Sequence, residues 1–124
     1  MRELTSHKVN GLNEAIDIQV EDERGEGNAN HVYLLVVARH PDGSCAEALK
    51  VRFQNGPLQE TKPNGISNEA LLAIVEDRLL GFQSGEFACR ENAVALTKIQ
   101  EAMLWLQKRT RDRLARGVEG TMEK

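Results

Sequence analysis

One stripe of side chains decides most of what this chain can fold into. Asn92, Leu96, Ile99, Met103, Leu106, Thr110 and Arg113 recur at alternating steps of four and three, the spacing of one face of a long helix. The stripe is apolar in its middle and polar at both ends. It predicts a helix from about Arg90 to Arg116, stopped by Gly117. Ala95, Ala102, Trp105 and Arg109 run beside it. The apolar middle reads as a core face, and Met103 and Trp105 read with it as core rather than as a place for a cofactor. Such a helix needs a partner. Leu71, Leu72, Ile74, Val75, Leu79 and Leu80 recur at helical spacing as far as Gly81, with Ser67 as N-cap and Glu69 in the first turn to complement the helix dipole. The loop over 84–89 is short, so the two helices predict an antiparallel hairpin.

Upstream the period changes. Ala15, Ile16, Asp17, Ile18, Gln19 and Val20 alternate apolar and polar, as a half-buried strand does. The acid- and Gly-rich segment 21–30 cannot continue a strand and reads as a loop. Residues 31–40 (HVYLLVVARH) are β-branched and aromatic as far as the turn Pro41, Asp42, Gly43, Ser44, where Pro presets φ and Gly supplies a positive one. Residues 46–54 (AEALKVRFQ) alternate again, which predicts a hairpin within a meander of three antiparallel strands. The segment 55–65 holds two Pro and two Gly and reads as a linker. The expectation is an α+β fold: a small N-terminal antiparallel sheet of about three strands over 1–66, then a helical hairpin with one long helix over 67–117. The two halves are expected to form one integrated domain, followed by a small polar tail over 118–124 that frays.

Composition narrows the function. A chain of 124 residues makes one domain, two at most. The net charge of −3 argues against binding duplex nucleic acid through a basic field. No apolar run is long enough to span a membrane and the first residues lack a signal-peptide core, so a cytosolic protein without membrane contact is expected. Cys45 and Cys89 show no CxxC spacing and read as structural thiols. His7, His31 and His40 make no metal-binding spacing, and no nucleophile elbow, P-loop or dinucleotide fingerprint is present. The helix acids Glu69, Glu76, Asp77, Glu91 and Glu101 do not make the ExxE pairs that hold Mg²⁺ in helical pyrophosphohydrolases. No metal, cofactor or catalytic residue is expected, and a binding module is the better class.

Charge gives the first hint of a ligand. Five of the nine basic residues beyond residue 66 fall within 108–116. Arg109 and Arg113 stand one turn apart, so two guanidinium forks can point the same way, a geometry that suits two phosphates. Compensation of the dipole at a helix C-terminus is the other reading. Phe82, just past Gly81, can close the hairpin or stack on a base, and Asn92 can be a first-turn residue with no ligand at all. The hairpin makes Phe82 and Asn92 neighbours, whereas Arg113 lies ~31 Å from Asn92 at ~1.5 Å per residue. One small ligand reaches both sets only if two long helices from two chains pair antiparallel, which would put an aromatic, an amide and two arginines around it.

The stretch NGISNEALLAIVEDRLLGFQSGEFACRENAVALTKIQEAMLWLQKRTRDRLARGVEGT resembles the C-terminal hairpin of the Thoeris anti-defence proteins of the first type. These phage proteins are related to the anti-CBASS cyclic-nucleotide sponges. The run FACRENA, LTK, EAMLWLQ, RTRDR carries the resemblance over nearly half the chain, and the strand half agrees in order and length. It implies a non-catalytic protein that sequesters cyclic ADP-ribose isomers (gcADPR) made by TIR proteins, in the cytoplasm of an infected bacterial host. It implies homodimers assembled into a hexamer, and in some members a separate site for cyclic trinucleotides. Carried over by residue, Phe82 stacks on adenine and Asn92 hydrogen-bonds in the same pocket. Arg109 and Arg113 of the partner chain hold the pyrophosphate, and Arg90 is a neighbour. Thr97 and Lys98 match the trinucleotide motif, and an ordinary exposed helix face is their other reading. Besides the sponge, two alternatives stand: an enzyme that cleaves the same signal, and a transcriptional or structural adaptor using the basic helix end.

Overall fold

The computed structural model describes residues 2–121, so residues 122–124 of the expected tail lie outside the described residues. Contacts divide the chain into two compact units, residues 1–56 with 63–66 and residues 57–62 with 67–124. The segment 57–62 of the expected linker thus belongs with the helices.

The first unit is an antiparallel meander of four strands in sequence order, β1 (Arg2–Leu4), β2 (Ile16–Val20), β3 (Val32–Val37) and β4 (Glu47–Arg52). The expectation of about three strands missed β1, which pairs Arg2 with Val20 and Leu4 with Ile18. Three residues are too few to display a period, so nothing in REL marks a strand. A one-turn helix, α1 (Gly11–Glu14), fills the β1–β2 connection, and Asn10 caps it by accepting from the Asn13 amide.

Register sorts the side chains. Ile16, Ile18 and Val20 stand opposite Val37, Leu35 and Tyr33, and Leu35 and Tyr33 stand opposite Leu49 and Val51. Residues directly opposite share a face, so these form one apolar surface. The other face pairs Asp17 with Val36, Gln19 with Leu34 and Leu34 with Lys50. Lys8 folds over that face and bonds Asp17 at 2.8 Å, and its hydrogen bond lowers the Asp17 pKa despite partial burial. Among the described residues, Val20 and Val36 are the buried apolar side chains.

Polar locks hold the loops. Burial raises the Asp22 pKa, but amide hydrogen bonds from His31 and Val32 outweigh it and the net shift is downward. Asn30, also buried, donates to the Asp22 carbonyl at 2.7 Å and accepts from Arg2 at 2.6 Å. The Pro41–Ser44 turn forms as expected, with Gly43 at φ 91° and Asp42 accepting from the Ser44 amide at 2.9 Å. Past β4, Phe53 bridges Ile66 in parallel, and its ring meets Tyr33 edge-on at 5.6 Å.

The second unit is the helical hairpin. α2 (Asn68–Gln83) is capped by Ser67, whose hydroxyl accepts from the Ala70 amide at 3.1 Å. It runs through Gly81 instead of ending there, and Ser84 closes it by donating to the Gly81 carbonyl at 2.7 Å. α3 (Arg90–Arg116) is capped by Cys89 and ends at Gly117, at φ 74°. Its stripe is the less exposed side: Asn92, Leu96, Ile99, Met103, Leu106 and Thr110 are half-buried, and Arg113 is buried.

Gly65 is the tightest point of the chain. A Cβ there would lie 2.4 Å from the Phe53 carbonyl carbon and 2.6 Å from the Gln54 amide nitrogen. These are backbone atoms, so they cannot swing aside. Gly65→Ala is expected to lower stability by about 2 kcal/mol or more, read as a drop in the midpoint of denaturant unfolding; an unchanged midpoint would show that the 53–66 crossing is plastic.

Candidate functional site

The hairpin places the expected residues at its two ends. Phe82 lies in the last turn of α2 and is 38% exposed. The Arg78 guanidinium stands 5.5 Å above its ring, an attractive cation–π arrangement, and Phe87 meets it edge-on at 6.5 Å. Asn92 is in the first turn of α3, and its backbone amide donates to Cys89 Sγ at 3.4 Å. Arg90 opens the same helix and is exposed. The short 84–89 connection therefore keeps Phe82, Asn92 and Arg90 at one end, where Arg78 and Phe87 join them. Sequence reading passed over those two. Arg78 sits one turn before Phe82, a spacing that could have flagged it, whereas Phe87 lies in an irregular loop that gives no signal.

Farther along α3, Thr97 donates its hydroxyl to the Ala93 carbonyl at 3.1 Å and Lys98 reaches Glu101 at 3.8 Å. Both lie on the exposed side of the helix, as does Arg90 about two turns back.

At the other end a shallow pocket of about 470 Å³ is lined by Trp105, Lys108, Arg109, Asp112, Arg113 and Arg116. Lys108 is matched by Asp112 at 2.7 Å. Arg109 is exposed and makes no ion pair with a carboxylate among the described residues. Trp105 is 70% exposed, which corrects its reading as core. It falls between Met103 and Leu106, off the four-and-three spacing, and so on another side of the helix. An exposed indole beside several cations can take a flat anionic ligand: rings stack on its face and phosphates meet the guanidinium groups.

The two arginines differ sharply. Arg113 is only 6% exposed. Its Nε donates to Glu119 Oε2 at 3.2 Å, and one terminal nitrogen donates to the carbonyls of Val118 at 2.9 Å and Thr121 at 3.0 Å. The tail expected to fray is thus folded back through residue 121. Within one chain Phe82 and Asn92 stay at the opposite end of α3 from Arg109 and Arg113, the ~31 Å from Asn92 to Arg113 being set by helix rise alone.

The hairpin and the chain around it have relatives among known proteins. Residues 46–111 match the hairpin domain of Acb2/Tad1. A protein of Bacillus phage SBSphiJ7, named Thoeris anti-defense 1, is 49% identical over 109 residues, which is 88% of this chain and 71% of that protein. The similarity thus extends well beyond the hairpin.

Arg113→Ala should release the tail. The lost charged hydrogen bonds predict a cost of about 1.5–3 kcal/mol, seen as a lower melting temperature. The Gln59 amide, which donates to the Gly120 carbonyl at 2.9 Å, should exchange hydrogen faster. Unchanged exchange there would mean that Arg113 does not hold the tail.

Proposed function

Because the chain belongs to the family of the Acb2/Tad1 hairpin domain, phage anti-defence proteins, we propose that it is a sponge for cyclic ADP-ribose isomers. It binds the TIR-generated signal, gcADPR, without degrading it, in the cytoplasm of the infected host, and so blocks Thoeris immunity. The observation that carries this reading is the division of the site. An aromatic and an amide lie at one end of α3, and an arginine pair with an exposed indole lies at the other. Antiparallel pairing of α3 between two protomers brings unlike ends together and completes one pocket per pair of ends.

Each group then has a task. Phe82, backed by Arg78, offers a ring face to adenine, and Asn92 reads polar atoms beside it. Arg109 and Arg113 of the partner chain take the pyrophosphate through charge-assisted bonds, and Arg90 adds charge at the rim. Ile74, Phe87, Leu104 and Leu114 are each more than half exposed in the single chain, which supports a second copy as their cover. Such dimers assemble further into a hexamer. Thr97 and Lys98 lie on an exposed side of α3, and cyclic trinucleotides are the ligand proposed for that second site.

A sponge and an enzyme part on what they return. The test is to load the protein with gcADPR, denature it with heat and analyse the supernatant: intact ligand is expected, and a hydrolysed product would overturn the sponge. Phe82→Ala should weaken binding by about 1–3 kcal/mol, roughly fivefold to more than a hundredfold, in calorimetric titration.

Shared pockets allow complementation. When a Phe82→Ala chain is co-refolded with an Arg109→Ala chain, one pocket of the heterodimer carries both defects and the other is wild type. Binding should return to about half the sites of the heterodimer while each parent stays weak. A mixture no better than its parents would show that each protomer carries a complete site.

A further inference from the structure

The tail beyond α3 is built to a purpose that the site described so far does not use. Gly117 at φ 74° and Gly120 at φ 81° take left-handed backbone, which turns the chain back onto the last turn of α3. The turn is anchored from a distant part of the sequence. The Gln59 amide donates to the Gly120 carbonyl at 2.9 Å, and Gln59 Nε2 donates to the Glu119 carbonyl at 3.0 Å. Gln59 is itself fixed in a tight turn in which the Glu60 and Thr61 amides donate to the Pro57 carbonyl. These bonds to the Glu119 and Gly120 carbonyls fix the backbone that carries the Glu119 carboxylate, which lies 3.2 Å from Arg113.

A carboxylate on a guanidinium occupies the same fork, at the same kind of distance, as a phosphate does. Arg113 also lines the cationic pocket with Arg109 one turn before it. With Glu119 in place, a ligand meets Arg109 first and finds Arg113 engaged. We infer that Glu119 is a resident counter-ion of this anion site, a carboxylate held where a ligand phosphate goes and displaced when the ligand binds. This rests on the reading of Arg109 and Arg113 as the phosphate clamp, and adds to it a residue that sets affinity and selects among anions.

Selection follows from the cost of displacement. A ligand that reaches Arg113 replaces the carboxylate and loosens the tail carbonyls. An anion with one phosphate is held by Arg109 without disturbing the tail, and gains little. An anion with two linked phosphates spans both arginines and recovers the cost through two charge-assisted contacts. Only an anion long enough to reach Arg113 meets that cost, so Glu119 holds back diphosphates relative to monophosphates, and its removal favours them. The side chain of Glu119 is one-third exposed, so water softens the pair and the ligand can compete.

The test uses Glu119→Gln, which keeps the shape and a hydrogen-bond acceptor but removes the charge. Titration of the full chain with gcADPR, followed by the fluorescence of Trp105, the single tryptophan, is expected to show about two- to fivefold tighter binding than wild type. Inorganic pyrophosphate, tried in parallel with inorganic phosphate, should gain relatively more from the substitution. In the wild type, ligand binding should speed hydrogen exchange at the Gln59 amide as the tail lets go. Equal or weaker binding by Glu119→Gln, or stronger protection of Gln59 on binding, would overturn the counter-ion and make the tail a clasp that closes on ligand. Arg109→Ala separates this from the underlying reading. It should lose binding at least tenfold, and wild-type affinity in that variant would remove the clamp and the counter-ion together.

Discussion

The difference in length between two packed helices sets up most of this molecule. α3 has 27 residues and α2 has 16, and they share one end because only a short loop joins them. The last ~3 turns of α3 therefore run past the helix that covers the rest. An uncovered helix end exposes its stripe and must find another partner. Here the partner is the chain itself: 57–62 from the far side of the hairpin and 117–121 returning from Gly117. Arg113 sits at the middle of that junction, where Leu96 and Ile99 occupy the equivalent stripe positions deeper in the hairpin. The cationic cluster over 108–116 lies on the same overhang. Overhang, tail and cationic pocket are one consequence of one mismatch.

The apolar surface of the single chain tells a related story. α2 is apolar nearly all round, with Leu72 and Leu79 on its less exposed side and Ile74 and Val75 exposed on another. A helix of that kind is ordinarily buried on more than one side. Phe87 and Trp105, at 73% and 70% exposure, stand at opposite ends of the hairpin, one in each proposed half-site. Large aromatics left in water cost free energy that burial against another surface recovers. The proposed pairing of unlike ends would bury both at once, so the force that assembles the dimer and the force that completes the pocket would be the same.

Much of this was legible in the sequence, and the parts that were not share a cause. The stripe from Asn92 to Arg113, the Ser67 cap, the 41–44 turn and the alternation in β2 and β4 are local patterns, each set by residues a few positions apart. β1 was missed because three residues show no period. Gly81 read as a stop, yet Ser84 caps the helix one turn on, which only the Oγ bond to the Gly81 carbonyl reveals. Trp105 read as core because its neighbours in sequence are core, while its angle on the helix turns it outward. The tail was unreadable for a deeper reason: its partner, Gln59, lies sixty residues from Glu119, and no pattern near residue 119 announces it. Spacing singled out Phe82, Asn92, Arg109 and Arg113 and family resemblance supplied their roles, but neither showed their very different surroundings.

Those surroundings matter most for the two arginines. Spacing makes Arg109 and Arg113 equivalent: one turn apart, same charge, same reach. The fold makes them unlike. Arg109 is solvated and costs nothing to recruit, so it suits first capture of an anion, with an attraction that added salt screens. Arg113 is desolvated and already oriented by a carboxylate and carbonyls, so its fork is fixed before any ligand arrives. A fixed, buried fork makes stronger contacts than a mobile one, because the local dielectric is low and little side-chain entropy remains to lose. That strength is available to a ligand only in exchange for what the tail already enjoys. Under the proposed clamp the pair divides the work between recruitment and discrimination, and the division arises from where α2 stops.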